Sequence, residues 1–245
     1  MNQLPIIVQN TVDIAMSDQR VDLHILKGFT NVFLLTSPQS AILIDTGSKS
    51  NFKRIAVFLE NLDLKFRDLK LIVATHCHKD HVASLAAVKE KSGAKVLAHS
   101  AAKEFLAKGE PSYPKGTNPI SAATSAFSEA FLRKVYRYPP VEPEITISED
   151  TDLSEYGVQV SVLCTPGHSA GSISIIVNRE SALVGDTIFN VLSAIVYPPW
   201  ADDTDELLRS MRKLIDTGCK VFYPSHGLPV SVEKLSAILR RKESG

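Results

Sequence analysis

The chain has little cysteine, no excess of either charge, no long apolar run and no internal repeat, and each lack removes a class of protein. Three cysteines in 245 residues, Cys77, Cys164 and Cys219, are odd in number and far apart. That fits reduced thiols rather than a disulfide framework. Lys and Arg number 27, as do Asp and Glu, so the formal net charge is zero. A nucleic-acid binder working by counterion release would be basic instead. The longest apolar stretches are strand-sized, well short of the roughly 20 residues that cross a bilayer. The N-terminal region shows no basic head followed by an apolar run. The expectation is therefore a cytoplasmic protein with no nucleic-acid and no membrane partner. With 44% hydrophobic residues the chain can bury a sizeable core, and residues 1–245 read as a single domain.

Short apolar runs alternate with helical patterns twice over. Strands are expected at 5–8, 21–25, 31–36, 41–44 and 69–74. A helix over 52–62 should bury Phe52, Ile55, Ala56, Leu59 and Leu62, which recur at helical spacing. Another should follow Asp80, bury Val82, Leu85 and Ala86, and stop near Gly93. In the second half, Val158, Val160, Val162 and Cys164 alternate with Gln159, Ser161 and Leu163, the period-2 sign of a half-buried strand. Strands are also expected at 172–178, 182–184 and 220–223, and helices around Leu207–Ile215, behind the acidic cluster 202–205, and at 232–240. The doubled pattern predicts sheets packed together and covered by helices. Residues 108–144 hold six of the thirteen prolines around a helical stretch with Phe127, Phe131 and Val135 at i, i+4, i+8. This Pro-rich helical insertion reads as a loop-and-helix excursion, a substrate lid or a contact for a homodimer.

The chemistry concentrates in Thr75-His76-Cys77-His78-Lys79-Asp80-His81, just after an apolar strand. By residue frequencies such an H-x-H-x-D-H run arises by chance in about three of ten thousand chains of this composition. In extended chain, residues two apart face the same side, so His76 and His78 can grip one cation. Once the chain turns into a helix, Asp80 and His81 share its first turn and can face another. Asp80 could instead serve as a helix cap, which would leave three imidazoles without a role. His168 follows Pro166-Gly167, Asp186 ends an apolar strand, and His226 ends a third. A carboxylate in that setting is costly unless it is paired or metal-bound. Cys77 should point away from His76 and His78, while His24 and His99 read as ordinary histidines.

In order, Ile44-Asp45-Thr46-Gly47, the H-x-H-x-D-H run, Gly167-His168, Gly185-Asp186 and Ser225-His226-Gly227 resemble the five motifs of the metallo-β-lactamase superfamily. The resemblance implies an α/β (α+β) fold, a four-layer αββα sandwich of two similar halves. It implies that His76, His78 and His168 hold one divalent metal ion, that Asp80, His81 and His226 hold a second, and that Asp186 bridges them. Zinc is the expected metal, although iron or manganese suits the same donors. Asp45 would support the metal loop from behind. The implied activity is metal-dependent hydrolysis of a small ester, thioester or lactone by a hydroxide shared between the metals, with Asp80 orienting or deprotonating the water.

Aspartate at 186 resembles the branch that includes glyoxalase II and the lactonases. The glycine-cysteine-arginine signature of glyoxalase II is missing from the residues after Asp186, which argues against a glutathione substrate. Acyl-homoserine lactonases carry a tyrosine three residues after the bridging aspartate, where this chain has Phe189. Tyr197 is a candidate replacement, and Phe189, Tyr197 and Trp200 are expected at the substrate rim. The alternatives on the same scaffold are a mononuclear iron enzyme resembling the persulfide dioxygenases and a phosphodiesterase.

Overall fold

Along Ser40–Ile44 every residue is buried, and alternate side chains enter different clusters: Ala41 and Leu43 one, Ile42 and Ile44 another. A strand buried on both faces belongs to a sheet covered on both faces. The computed structural model, which describes residues 12–14, 21–131, 135–191 and 196–243, shows that arrangement twice.

Among the described residues the first sheet has seven strands in sequence order: β1 (Val12–Ile14), β2 (Val21–Leu26), β3 (Val32–Ser37), β4 (Ser40–Ile44), β5 (Leu69–Val73), β6 (Lys95–His99) and β7 (Ile145–Ile147). It meanders antiparallel to β4 and runs parallel from there to β7. The second sheet contains β8 (Thr151–Asp152), β9 (Val160–Cys164), β10 (Ile173–Val177), β11 (Ser181–Leu183), β13 (Val221–Tyr223) and β15 (Val230–Ser231). A two-stranded piece pairs β12 (Phe189–Asn190) with β14 (His226–Gly227). Both β9 and β11 lie antiparallel to β10, and β13 lies parallel to β11, so these three strands point the same way.

Three apolar clusters separate four layers. The central one joins Phe33, Ile42, Ile44, Leu71 and Val73 of the first sheet to Val160, Val162, Ile173 and Ile175 of the second. The second fills the space between the first sheet and α1 (Asn51–Glu60), α3 (Leu85–Ser92) and α4 (Ser100–Lys108). The third lies between the second sheet and α6 (Thr204–Asp216) and α7 (Val232–Glu243). The result is the αββα sandwich. In α6 the side chain of Asp203 accepts from the N–H groups of Asp205 and Glu206, a cap that fixes where the helix begins.

Several local expectations change. The strand expected at 5–8 lies outside the described residues. In α1 the buried face is Asn51, Ile55, Phe58 and Leu59, with Phe58 in the core instead of Ala56, because the larger ring fills the sheet-facing side. The helix after Asp80 is broken into α2 (Lys79–Val82) and α3. At the break Ser84 Oγ donates to the Ser48 carbonyl at 2.6 Å, tying the turn to the neighbouring loop, and Val88 replaces Ala86 in the core. The insertion helix, α5 (Pro119–Phe131), leaves Phe127 and Phe131 exposed, and Val135 stands in a turn. The strand β6 and helix α4 carried no distinctive pattern.

Phe58 is fully buried against the first sheet. Phe58→Ala is expected to cost about 3–5 kcal/mol, read as a lower midpoint in denaturant with an unchanged slope. A loss under about 1 kcal/mol would contradict this packing.

Candidate metal centre

Five loops bring the histidines together, and each leaves the end of a strand. The loop after β4 carries Asp45, that after β5 carries 75–81, that after β9 carries His168, that after β11 carries Asp186, and that after β13 carries His226. The turn before His168 needs Gly167: its φ is +125°, and a Cβ there would stand 2.3 Å from the Leu207 backbone nitrogen. Only glycine lets α6 come this close.

The donor atoms fall into two groups, His76, His78, His168 and Asp186 in one, Asp80, His81 and His226 in the other, each within 4.8 Å of one another. Asp186 reaches both. One of its oxygens is 3.9 Å from His76 Nε2, 3.6 Å from His168 Nε2 and 3.5 Å from His226 Nε2, and the other is 3.4 Å from His81 Nε2. Ligands about 2 Å from one tetrahedral ion stand roughly 3.3 Å apart, so these separations suit a shared metal centre. His78 Nδ1 lies 2.9 Å from His76 Nε2 and 3.0 Å from His168 Nε2.

The outer ring nitrogens explain why the inner ones are free to ligate. His76 Nδ1 pairs with the Thr75 hydroxyl at 3.1 Å, and His78 Nε2 with Ser112 at 3.1 Å. His81 Nδ1 donates to Asp45 at 2.8 Å, His168 Nδ1 to the Trp200 carbonyl at 2.9 Å, and His226 Nδ1 to the Phe29 carbonyl at 2.8 Å. The acceptor-only partners of His81, His168 and His226 fix their tautomers, and all five bonds turn the opposite nitrogen inward. His81 Nε2 and Asp186 Oδ1 are buried with no hydrogen-bond partner, a costly state that a cation would relieve. Donors of this type and number fit divalent metal ions.

Asp45 organises the loop behind the site. It sits at φ +57° in the left-handed region, which aspartate tolerates better than most residues. Its carboxylate accepts from the Thr75 N–H and hydroxyl, each at 2.8 Å, and from His81. The protonation balance divides the rings. Burial, then the charge of His168, lowers His78 to about 3. Burial likewise lowers His76 and His168, so these rings are neutral, as ligands must be. Burial alone would lower His81 and His226 too, but Asp186 and Asp80 overcome it and raise both. Burial pushes Asp186 up, yet the charges of His226 and His81 prevail and hold it down to about 2.

Above these groups lies a cavity of about 510 Å³. His78, Asp80, His168, Asp186 and His226 face it, and its walls include Phe29, Pro111, Tyr113, Tyr136, Phe189 and Trp200. The insertion therefore contributes wall. Phe189 stacks on His226 with centroids 4.8 Å apart, and Trp200 donates from Nε1 to the Ser121 carbonyl of α5. Tyr197, expected at the rim, does not line the cavity. It packs with the α6–α7 cluster beneath the Lys242 ammonium, 4.5 Å from its ring. The Val196 carbonyl beside it accepts from the Phe189 N–H at 3.0 Å. Cys77 is buried and its thiol pushed up by burial, with Sγ 3.6 Å from Ser112 Oγ. His24 bonds Thr36, and His99 caps α4. Ser112 and the carbonyls of Phe29 and Trp200 carried no signal in the sequence, since a backbone acceptor can belong to any residue type.

Residues 25–226 match the metallo-beta-lactamase superfamily. A "Probable metallo-hydrolase" of Methanocaldococcus jannaschii is 31% identical over 163 residues, 66% of this chain and 69% of that protein. An atrochrysone carboxyl ACP thioesterase of Aspergillus fumigatus is 24% identical, covering 87% of this chain and 56% of its own length. The chain spans about half the length of most of the first curated relatives it matches. The crystal structure of a metallo-beta-lactamase family protein from Thermus thermophilus superposes with a TM-score of 0.65 at 23% identity, covering 88% of this chain and 75% of that one. Fold and site thus define a class, an αββα sandwich with a candidate metal centre at the ends of its strands. The chain belongs to the metallo-beta-lactamase superfamily.

Two outcomes follow for metal binding. Asp45→Asn is expected to weaken metal retention by about 10–100-fold; a variant that retains metal like the parent after dialysis would contradict the supporting role of Asp45. Because His81 and His226 are raised in the metal-free protein, protons compete for the nitrogens that a cation needs. Apparent affinity should therefore fall as pH drops from about 8 to about 6, measured by equilibrium dialysis. Affinity constant over that range would show that neither ring ligates.

Proposed function

We propose that this protein is a dinuclear metallo-hydrolase of small acyl substrates, with thioesters the favoured class and zinc the favoured metal. The observation that carries the reading is the convergence of five imidazoles and two carboxylates on the floor of one largely apolar cavity. His76, His78 and His168 would hold one cation, Asp80, His81 and His226 the other, with Asp186 between them. Such a pair supplies Lewis acidity and makes hydroxide available near neutral pH.

The chain's own groups do the rest. Asp186 is 5% exposed and confined, whereas the Asp80 side chain is 36% exposed and faces the cavity. Asp80 is thus the carboxylate placed to orient an attacking water and take its proton. Phe29, Phe189, Trp200 and the insertion walls seat an apolar acyl group and exclude bulk water. Phe189, stacked on His226, offers no proton to a leaving group there. An alkoxide needs such a proton far more than a thiolate, whose conjugate acid has a pKa of about 8.5. That chemistry supports thioesters over esters and lactones, as do relatives named as thioesterases, one from Aspergillus fumigatus and one from Emericella nidulans.

The test is metal analysis coupled to a panel of chromogenic acyl thioesters, lactones and phosphodiesters. Two equivalents of zinc and turnover highest on thioesters are expected, with Asp186→Ala losing both metal and activity. A single iron with oxygen-dependent turnover would overturn the reading, as would phosphodiesters as the best substrates.

A further inference from the structure

The segment 28–31, between β2 and β3, belongs to none of the motifs, yet its groups converge on the loops that carry Asp80 and His226. Thr30 is 3% exposed, and its hydroxyl donates to Asp80 Oδ2 at 3.0 Å. The Phe29 carbonyl accepts from His226 Nδ1. Asn31 N–H donates to the Ser225 carbonyl at 2.7 Å, and Asn31 Nδ2 donates to the carbonyls of Pro224 and Gly227 at 3.2 and 3.1 Å. The outer nitrogens of His76, His78 and His168 are held by other partners, Thr75, Ser112 and Trp200.

The ligands of the second group differ in how freely they can move. His81 is fully buried and tied to Asp45, and His226 is 5% exposed and tied to the Phe29 carbonyl. The Asp80 carboxylate is the most open of these groups, 36% exposed against 5% for Asp186, and would rotate toward water unless something fixed it. His226 Nε2, 3.0 Å from Asp80 Oδ2, marks where that carboxylate must stay. A buried hydroxyl donating to the same oxygen is the group that holds it there.

We propose that Thr30 is a positioning residue for the second cation alone, so that the two cation sites have separable supports: Ser112 and the Trp200 carbonyl for the first, the 28–31 loop for the second. This rests on the dinuclear reading above and adds to it which segment retains which metal. The same loop places the solvent-exposed Phe29 side chain on the cavity wall, so the segment that would touch an acyl group would also fix the carboxylate that orients the water.

The test compares Thr30→Val, which keeps the shape and loses the donor, with Thr30→Ser, which keeps the donor. Full-length proteins are titrated with zinc by calorimetry and with cobalt(II) followed by its visible absorption, and the melting temperature of each metal-free protein is recorded. In Thr30→Val one equivalent should bind about 10–100-fold more weakly while the other keeps its affinity and its cobalt spectrum. The metal-free melting temperature should stay near that of the parent, and Thr30→Ser should restore both equivalents. Two equivalents of parental affinity in Thr30→Val would overturn the proposal. So would an equal weakening of both, or a loss explained by a lower metal-free melting temperature. A parent protein that binds a single cation would instead sink the dinuclear reading and this proposal with it, a result visible before any variant is made.

Discussion

The site answers to one electrostatic constraint: two buried carboxylates, Asp45 and Asp186, and a half-open one, Asp80, stand against five imidazoles. Unpaired, buried carboxylates would be prohibitively unfavourable. Three of the rings are pushed toward neutrality and cannot offset them as cations. Only His81 and His226 are drawn toward protonation. Divalent cations offset the same negative charge while keeping every ring neutral, which makes metal binding and the stability of this corner one problem.

The sandwich solves the positional half of that problem. Strands β4 and β5 run parallel, and β9, β11 and β13 point one way in the other sheet. Their C-terminal loops therefore emerge along one edge, where backbone groups free of the ladder can bend toward a common point. The rigid central cluster of branched and aromatic side chains keeps the two edges in register. Without it, ligands contributed by both halves would not hold sub-ångström positions.

How much of this was legible in the sequence follows from what leaves a local trace. The clustering of candidate ligands was, because His76, His78, Asp80 and His81 fall within six residues and His168, Asp186 and His226 each follow an apolar strand. The layers were, because strand alternation and helical spacing are periodic. The supports were not. The Phe29 and Trp200 carbonyls are backbone atoms, and Thr30 and Ser112 are ordinary hydroxyl residues 50 and 34 positions from the ligands they touch. Tyr197 lies elsewhere than its neighbourhood in sequence suggested, packed with Val196 against the helix layer and not on the cavity wall.

The insertion carries the last step. Residues around Ser112 and Tyr113 wall the cavity, and Ser112 also bonds the outer nitrogen of His78. Trp200 walls it too, lends its carbonyl to His168 and anchors its indole to α5. Tyr138 donates to the carbonyls of Cys77 and Glu110, stitching the end of the insertion to the histidine loop. The parts that wall the cavity are therefore also parts that orient its histidines. On the function proposed above, a change that reshapes the pocket would also disturb a nitrogen meant for metal, so substrate range would shift along directions that leave those few hydrogen bonds intact.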